Sequence, residues 1–531
     1  MKQLFNTIFV ILALSVLASC SKWEEYNTDP FGITSEMLEA DYNNIGAYYP
    51  KVLQSVYLHY GTCTSRFQMT NNLTADIWSG YMAIPSCFAS NQNTAFLVLP
   101  DGYCKRQWAM TYDYVMNTIY NYIEPQANNE KYGYLYAPAL IAQVFAMMRV
   151  TDSYGPIIYS QFGGSYTDGK IDTMKETYQA FFSDLDKAVE TLDAFVTQYP
   201  DSKPFAKFDC WYDGDFFKWL KLANTLRLRL AMHIVKVEPA LAKSEGEKAI
   251  SNKYGLITTK DDICYCGGEG WSHPLAIVTH DWEDVSMSAL MESFLYGYND
   301  PRLGKYFDKT TEEKALAKGY EYKGIRLGNP DLTAEKLYKY HSAINVQKSD
   351  KAVLMTAAES YFLLAEASLR GWKTGGTAKE FYEKGVAASF EQWGCSGVEA
   401  YLQSDAVPAD YEDVLNPAYN IASVNHLSPK WDESASNEVK LERIIDQKWI
   451  AGFPEGHEAW TTQRRTGYPH LFPVIANYSS GVFKDDDNVK RMVYPASDVQ
   501  KKSMYKTILE YLGGPDNGNT RLWWDVEGPN F

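Results

Sequence analysis

The chain has 531 residues, with 66 Asp and Glu against 50 Lys and Arg, and a net charge of −16. That length suits one large domain or roughly two to four modest ones. The acidic balance argues against a nucleic-acid partner, because phosphate binding needs basic patches that release counterions, and against adhesion to anionic headgroups through surface charge.

Aromatic residues make up 15% of the chain, as 40 Tyr, 24 Phe and 14 Trp. A core consumes many of them. Tyr and Trp also populate recognition surfaces and lie flat on the apolar faces of sugar rings. The composition favours a protein that binds something outside the cell.

The first twenty residues read MKQLFNTIFVILALSVLASC. Lys2 supplies a positive start and Leu4 to Leu17 is nearly all apolar. This run is too short to span ~30 Å of hydrocarbon and matches the apolar stretch of a signal peptide. It ends in Leu17-Ala18-Ser19-Cys20, which resembles a bacterial lipobox. The resemblance implies removal of residues 1–19 and acylation of Cys20, with two or more acyl chains for stable anchoring at ~0.8 kcal/mol per buried CH₂. Removing Lys2 leaves 49 basic and 66 acidic residues, a charge of −17. Residues 20–34 are a polar, turn-rich leader before one domain, 35–531. Glu24-Glu25 resembles the acidic signal that sends Bacteroidetes lipoproteins to the outer face of the outer membrane. The other Cys residues, 63, 87, 104, 210, 264, 266 and 395, are odd in number and irregular in spacing, which is not a disulfide framework. Cys264-x-Cys266 lacks a second ligand pair, so core thiols with room for one disulfide are expected and a structural metal is not.

Helical periodicity then dominates. Ile45, Tyr48, Tyr49, Val52, Val56 and Tyr57 mark one buried face within Ser35–Tyr60. The same spacing predicts helices over Trp108–Gln126, Glu130–Asp152, Glu176–Tyr199 (Thr173 as cap), Asp213–Val237, Val353–Gly371, Thr377–Trp393, Asn437–Gly452 and Glu455–Arg465. Strict two-residue alternation is scarce, so the scaffold is mostly α. The helices fall in pairs. The clearest is Ala357–Trp372 with Ala378–Trp393, where Ala365, Ala367, Ala378 and Ala387 permit close approach; it is similar to a tetratricopeptide unit. Between helices lie stretches that read as irregular: 61–107, 153–172, 200–212, 256–286, 318–350, 396–436 and 466–531. Loops this long usually carry function.

Several blocks together resemble the SusD/RagB family, most closely its second SusD-like subfamily. They are the lipobox with Asn27-Thr28-Asp29-Pro30, Asp152-Ser153-Tyr154-Gly155-Pro156, Trp219 to Arg229, Asn299-Asp300-Pro301-Arg302-Leu303, Ile444 to Ala451, Glu458-Ala459-Trp460 and Arg464 to Pro469, in family order. The resemblance implies about four tetratricopeptide-like helix pairs beneath a loop-rich ligand-binding half. It implies no catalysis and no cofactor. It implies a TonB-dependent SusC-like β-barrel as partner, and an oligosaccharide as ligand, or a peptide as in the RagB branch. Most of these blocks have structural work to do: Trp449 and Trp460 read as core, and Arg464-Arg465 as scaffold salt bridges.

Sugar binding needs flat apolar faces beside amides or carboxylates that bind hydroxyls. Two loop regions offer both. In the first, Trp78 or Tyr81 would stack while Asp76, Asn91 and Asn93 bind hydroxyls. In the second, Trp271 and Trp282 sit in a Gly-rich, acidic stretch. Asp281, Glu283 and Asp284 lack the glycine-punctuated alternation of a calcium loop. There is no G-x-S-x-G, H-E-x-x-H, P-loop or dinucleotide fingerprint. A glycan-degrading enzyme would need two opposed carboxylates, and spacing alone opposes no pair.

Overall fold

The computed structural model describes residues 42–61, 63–127, 132–165, 168–333 and 337–531. The signal segment, the leader and Cys20 lie outside the described residues. The principal helices are α1 (Tyr49–Val56), α2 (Asp101–Met110), α3 (Gly133–Tyr154), α4 (Met174–Gln198), α5 (Phe216–His233), α6 (Pro239–Ile250), α7 (Ala357–Leu369), α8 (Ala378–Gln392), α9 (Asn437–Gly452) and α10 (Gly456–Thr466). Consecutive helices pack on one another as α3/α4, α5/α6, α7/α8 and α9/α10, and α5 and α9 both lean on α7. This is the expected set of helix pairs. α3 is long and apolar enough to cross a membrane, but it lies buried among its neighbours.

Local chemistry explains the boundaries. Thr173 and Thr377 each accept from the N–H of a Glu three residues on, and that Glu reaches back, so both helices open on a capping box. Asp215 caps α5, Thr356 caps α7 and Ser436 caps α9. At the α7/α8 crossing, Ala365 and Ala367 are fully buried. A Cβ on Gly385 would come within 2.8 Å of the Phe362 ring, so only glycine lets α8 approach this closely.

Strands are few and short: β1 (Met82–Ala83), β2 (Ile157–Ser165), β3 (Asp168–Asp172), β4 (Cys264–Cys266), β5 (Ser286–Met287) and β6 (Ala352–Met355). They form three antiparallel pairs, β1·β5, β2·β3 and β4·β6. The seven described cysteines are free thiols.

The stretch 61–107 is irregular only in part. Thr64–Phe67, Gln68–Ala75 and Asp76–Trp78 run as one helical segment, wide-turned in the middle, and α2 follows. The apolar pattern misses it because its buried face is polar. Asn71 donates to Phe67 O (3.2 Å) and Asn72 to Asp76 (2.7 Å), so amides occupy positions where periodicity demands hydrocarbon. α6 was also missed: its buried residues, Ala242, Gly246 and Ala249, are all small and give no strong apolar stripe.

The helix pairs meet in a buried ionic lattice. Arg229 on α5 makes a two-toothed contact with Glu359 on α7, at 2.7 and 2.6 Å. Glu458 on α10 accepts from Lys448 on α9 at 2.6 Å and faces His233 on α5 at 3.1 Å. His233 also contacts Asp152 at the end of α3, at 3.2 Å. Arg465 pairs with Glu366 through two contacts of 2.7 Å. The Arg464 guanidinium lies 3.6 Å from the centre of the Trp460 ring and donates to the carbonyls of Asp152 and Lys490. The blocks that carry the family resemblance are therefore largely joints of this lattice.

Candidate ligand-binding face

The site begins at the β1·β5 pair. Met82 faces Met287 and Ala83 faces Ser286. Because the strands are antiparallel, the loop leaving β1 (84–100) and the loop entering β5 (277–285) spring from the same end. A third segment joins there: Ile325 N–H donates to Met287 O, Ala289 N–H to Ile325 O and Met287 N–H to Ser342 O, at 3.0, 2.9 and 2.8 Å. The loop from 326 to 341 thus shares the root of the other two.

Further contacts tie the three loops together. Cys87 N–H donates to Thr333 O at 3.2 Å, and Asn91 Nδ2 to Leu332 O at 3.5 Å. Lys339 lies 4.0 Å from Glu283. Gln68 Nε2 donates to Asp284 at 2.9 Å, which fixes the second loop to the helical segment below. Ala89, Ser90 and Asn91 hold φ of 47°, 52° and 62°. Three consecutive non-glycine residues in the left-handed region cost roughly 1–2 kcal/mol each, a conformation that persists where neighbours impose it.

The joined loops carry Phe88, Asn91 and Trp282, all half-buried, and Tyr340, which is 49% exposed. Asn91 Oδ1 has no hydrogen-bond partner. Flat rings beside the polar groups of Glu283 and Lys339 are what a hydroxylated ring requires. Tyr340 was missed by sequence reasoning. Tyr338 is 2% exposed and Tyr340 points outward, so the alternation of Tyr338-Lys339-Tyr340 was the available signal.

Trp271 stands apart, half-buried, with its ring 5.3 Å from that of His59. Its Nε1 donates to Asp350 O at 2.9 Å. His273 N–H donates to Lys348 O at 2.9 Å, and Lys348 pairs with Asp281 at 2.6 Å, so one segment, 346–351, supports the flanks of both Trp271 and Trp282.

Four expected ligand contacts prove to be interior residues. Asp76 is 3% exposed; burial pushes its carboxyl up to about 7, opposed by the Asn72 amide and Arg149. Trp78 is 5% exposed, with its ring 4.8 Å from that of Trp460 and its Nε1 donating to Thr94 O. It lines only a small cavity of about 40 Å³, too small for a sugar ring. Tyr81 is fully buried and donates to the Trp449 carbonyl, while Trp449 Nε1 donates back to Ser79 O. Asn93 is also fully buried: it accepts from Ala95 N–H and donates to Phe88 O, which caps the first loop. Packing between Asp76–Tyr81 and α9/α10 consumes these groups. They seat the first loop and touch nothing outside.

The comparisons agree with this architecture. Residues 25–525 match the family model SusD-like, "Susd and RagB outer membrane lipoprotein". A chitin-binding SusD homologue from Flavobacterium johnsoniae is 42% identical, with a TM-score of 0.86 over 92% of this chain and 100% of its own. A SusD homologue from Bacteroides vulgatus is 37% identical, with a TM-score of 0.87 over 93% and 100%. Another, from Bacteroides uniformis, is 34% identical, with a TM-score of 0.82 over 91% and 99%. No curated protein matches. The chain belongs to the SusD-like family of outer-membrane lipoproteins.

Proposed function

We propose that this protein is a non-catalytic, surface-exposed lipoprotein, anchored through acylated Cys20, that captures oligosaccharides of the chitin type. It passes them to a TonB-dependent SusC-like barrel, which supplies the energy of import. One observation supports the reading: the loops that carry Phe88, Asn91, Trp282 and Tyr340 share a root at one strand pair and are tied to one another. The 42% identity to a chitin-binding homologue supports the ligand class. A face of partly exposed rings binds weakly and reversibly, which transfer to a transporter demands. Trp271 extends the aromatic surface along the flank.

Affinity electrophoresis against a panel of glycans and peptides tests this. Retention by chitin-derived polymer, with no release of reducing ends, is the expected result. Retention by peptides alone, or hydrolysis of the glycan, overturns it. Mass spectrometry of the native protein is expected to find diacylglycerol on Cys20, and crosslinking in cells is expected to recover a large β-barrel.

A further inference from the structure

A second pocket lies away from the loop face and shares no residue with it. α3 presents Tyr136 and Gln143, and α4 presents Asp184 and Lys187, each pair spaced to fall on one side of its helix. The helical turn bearing Tyr120 and Glu124 closes another side, and Tyr159 and Phe162 of β2 close the last. The cavity measures about 370 Å³, within the size range of small-ligand sites.

Its walls are ordered before any ligand arrives. Tyr159, 4% exposed, donates to Asp184 Oδ2 at 2.7 Å and accepts from Gln143 Nε2 at 3.2 Å. Tyr120 meets Phe162 edge-on at 5.5 Å and keeps 39% of its surface exposed. Gly164 has φ +92°, and a Cβ there would come within 3.1 Å of the Tyr120 ring, so the hairpin leaves that ring room. The pocket therefore has aromatic walls and a fixed chain of polar groups. Its charges are uneven. Lys187 is held by Asp184 at 3.1 Å. Glu124, next to Tyr136, is the second carboxylate of the lining, and Lys187 is the one cation that lines the pocket and acts on it.

We propose that this pocket is a second binding site, which takes a monosaccharide-sized hydroxylated ring bearing an ammonium group: an amino sugar. Tyr120 and Phe162 supply the ring's apolar contact, and Gln143, Tyr159 and Asp184 meet its hydroxyls. The ammonium offsets the negative charge left in excess where two carboxylates, Asp184 and Glu124, share one cation, Lys187. Partial desolvation and the Asp184 charge push the exposed Glu124 carboxyl up against the opposing Lys187 and Tyr136, and a bound cation offsets the Asp184 charge. This site stands independently of the loop face and its glycan.

Calorimetric titration of the mature protein with glucosamine, N-acetylglucosamine and glucose tests the assignment. Glucosamine is expected to bind about tenfold more tightly than its N-acetyl form, the scale of one charge-assisted contact. Glu124→Gln removes that preference and leaves N-acetylglucosamine unchanged, whereas Tyr120→Ala weakens both sugars. Trp282→Ala leaves glucosamine binding intact, so failure of the loop face reads out separately. Equal affinity for the two sugars, an unchanged preference in Glu124→Gln, or no saturable glucosamine binding overturns the proposal. Glu124 is exposed, so its variant folds and decides the matter even if Tyr120→Ala does not fold.

Discussion

At the scale of residues, burial separates tryptophans that composition treats alike. Trp78 and Trp282 both lie near acidic side chains in aromatic-rich sequence, yet Trp78 is packed on Trp460 while Trp282 stays half-open. Trp78→Ala is expected to cost about 3–5 kcal/mol, the usual range for a large buried ring, and to lower the melting temperature. Trp282→Ala and Tyr340→Ala should weaken glycan retention with stability unchanged within about 0.5 kcal/mol. Differential scanning calorimetry beside affinity electrophoresis checks both. His341 offers a pH test. Neither ring nitrogen has a partner, and burial, with Lys323 nearby, pushes its pKa down to about 3 from an ordinary 6.5. The unfolded chain takes up this proton first, so stability is full above the unfolded value and is lost as pH falls from 6.5 toward 3. Denaturant titrations from pH 7 to 5 should show His341→Leu losing less than the parent chain, with the gap growing by up to about 1.4 kcal/mol per pH unit.

At the scale of elements, the sequence is legible where one chemical signal marks one structural role. The Thr-x-x-Glu boxes at Thr173 and Thr377, the apolar stripe of α4 and the small residues of the α7/α8 crossing all mean what they say. Thr173→Ala should cost about 1 kcal/mol through the lost cap, and thermal unfolding measures it. Legibility fails where polar groups face inward. The segment Gln68–Ala75 hides its helix because Asn71, Asn72 and Thr74 face inward, donating to Thr70 Oγ1, Asp76 and Thr70 O. The same confusion placed the first ligand loop too early: Asp76 to Tyr81 belongs to that buried segment, and the open part starts near Phe88. Residue composition marked both candidate loops. The root they share in β1·β5, which pairs Met82 with Met287, and the third loop with Tyr340, which joins at Ile325 and Ser342, depend on pairings between segments far apart in the chain, which local pattern does not record.

At the scale of the whole molecule, the ionic lattice joins every helix pair except its outermost members. Glu458 links α10 to α9 through Lys448 and to α5 through His233, and Arg229 continues the chain to α7. Removing one buried partner strands the other, so Glu458→Leu should destabilise by about 3–5 kcal/mol even though no ligand contact is lost. Chemical denaturation would register this as an earlier midpoint with an unchanged slope. The central claim is that the loop face holds chitin-type glycan, and calorimetric titration of the mature protein and its Trp282→Ala variant with chitin oligosaccharides tests it most directly. The account predicts saturable binding that falls at least several-fold in the variant while the melting temperature holds. Binding of equal strength in both, or none in either, contradicts it.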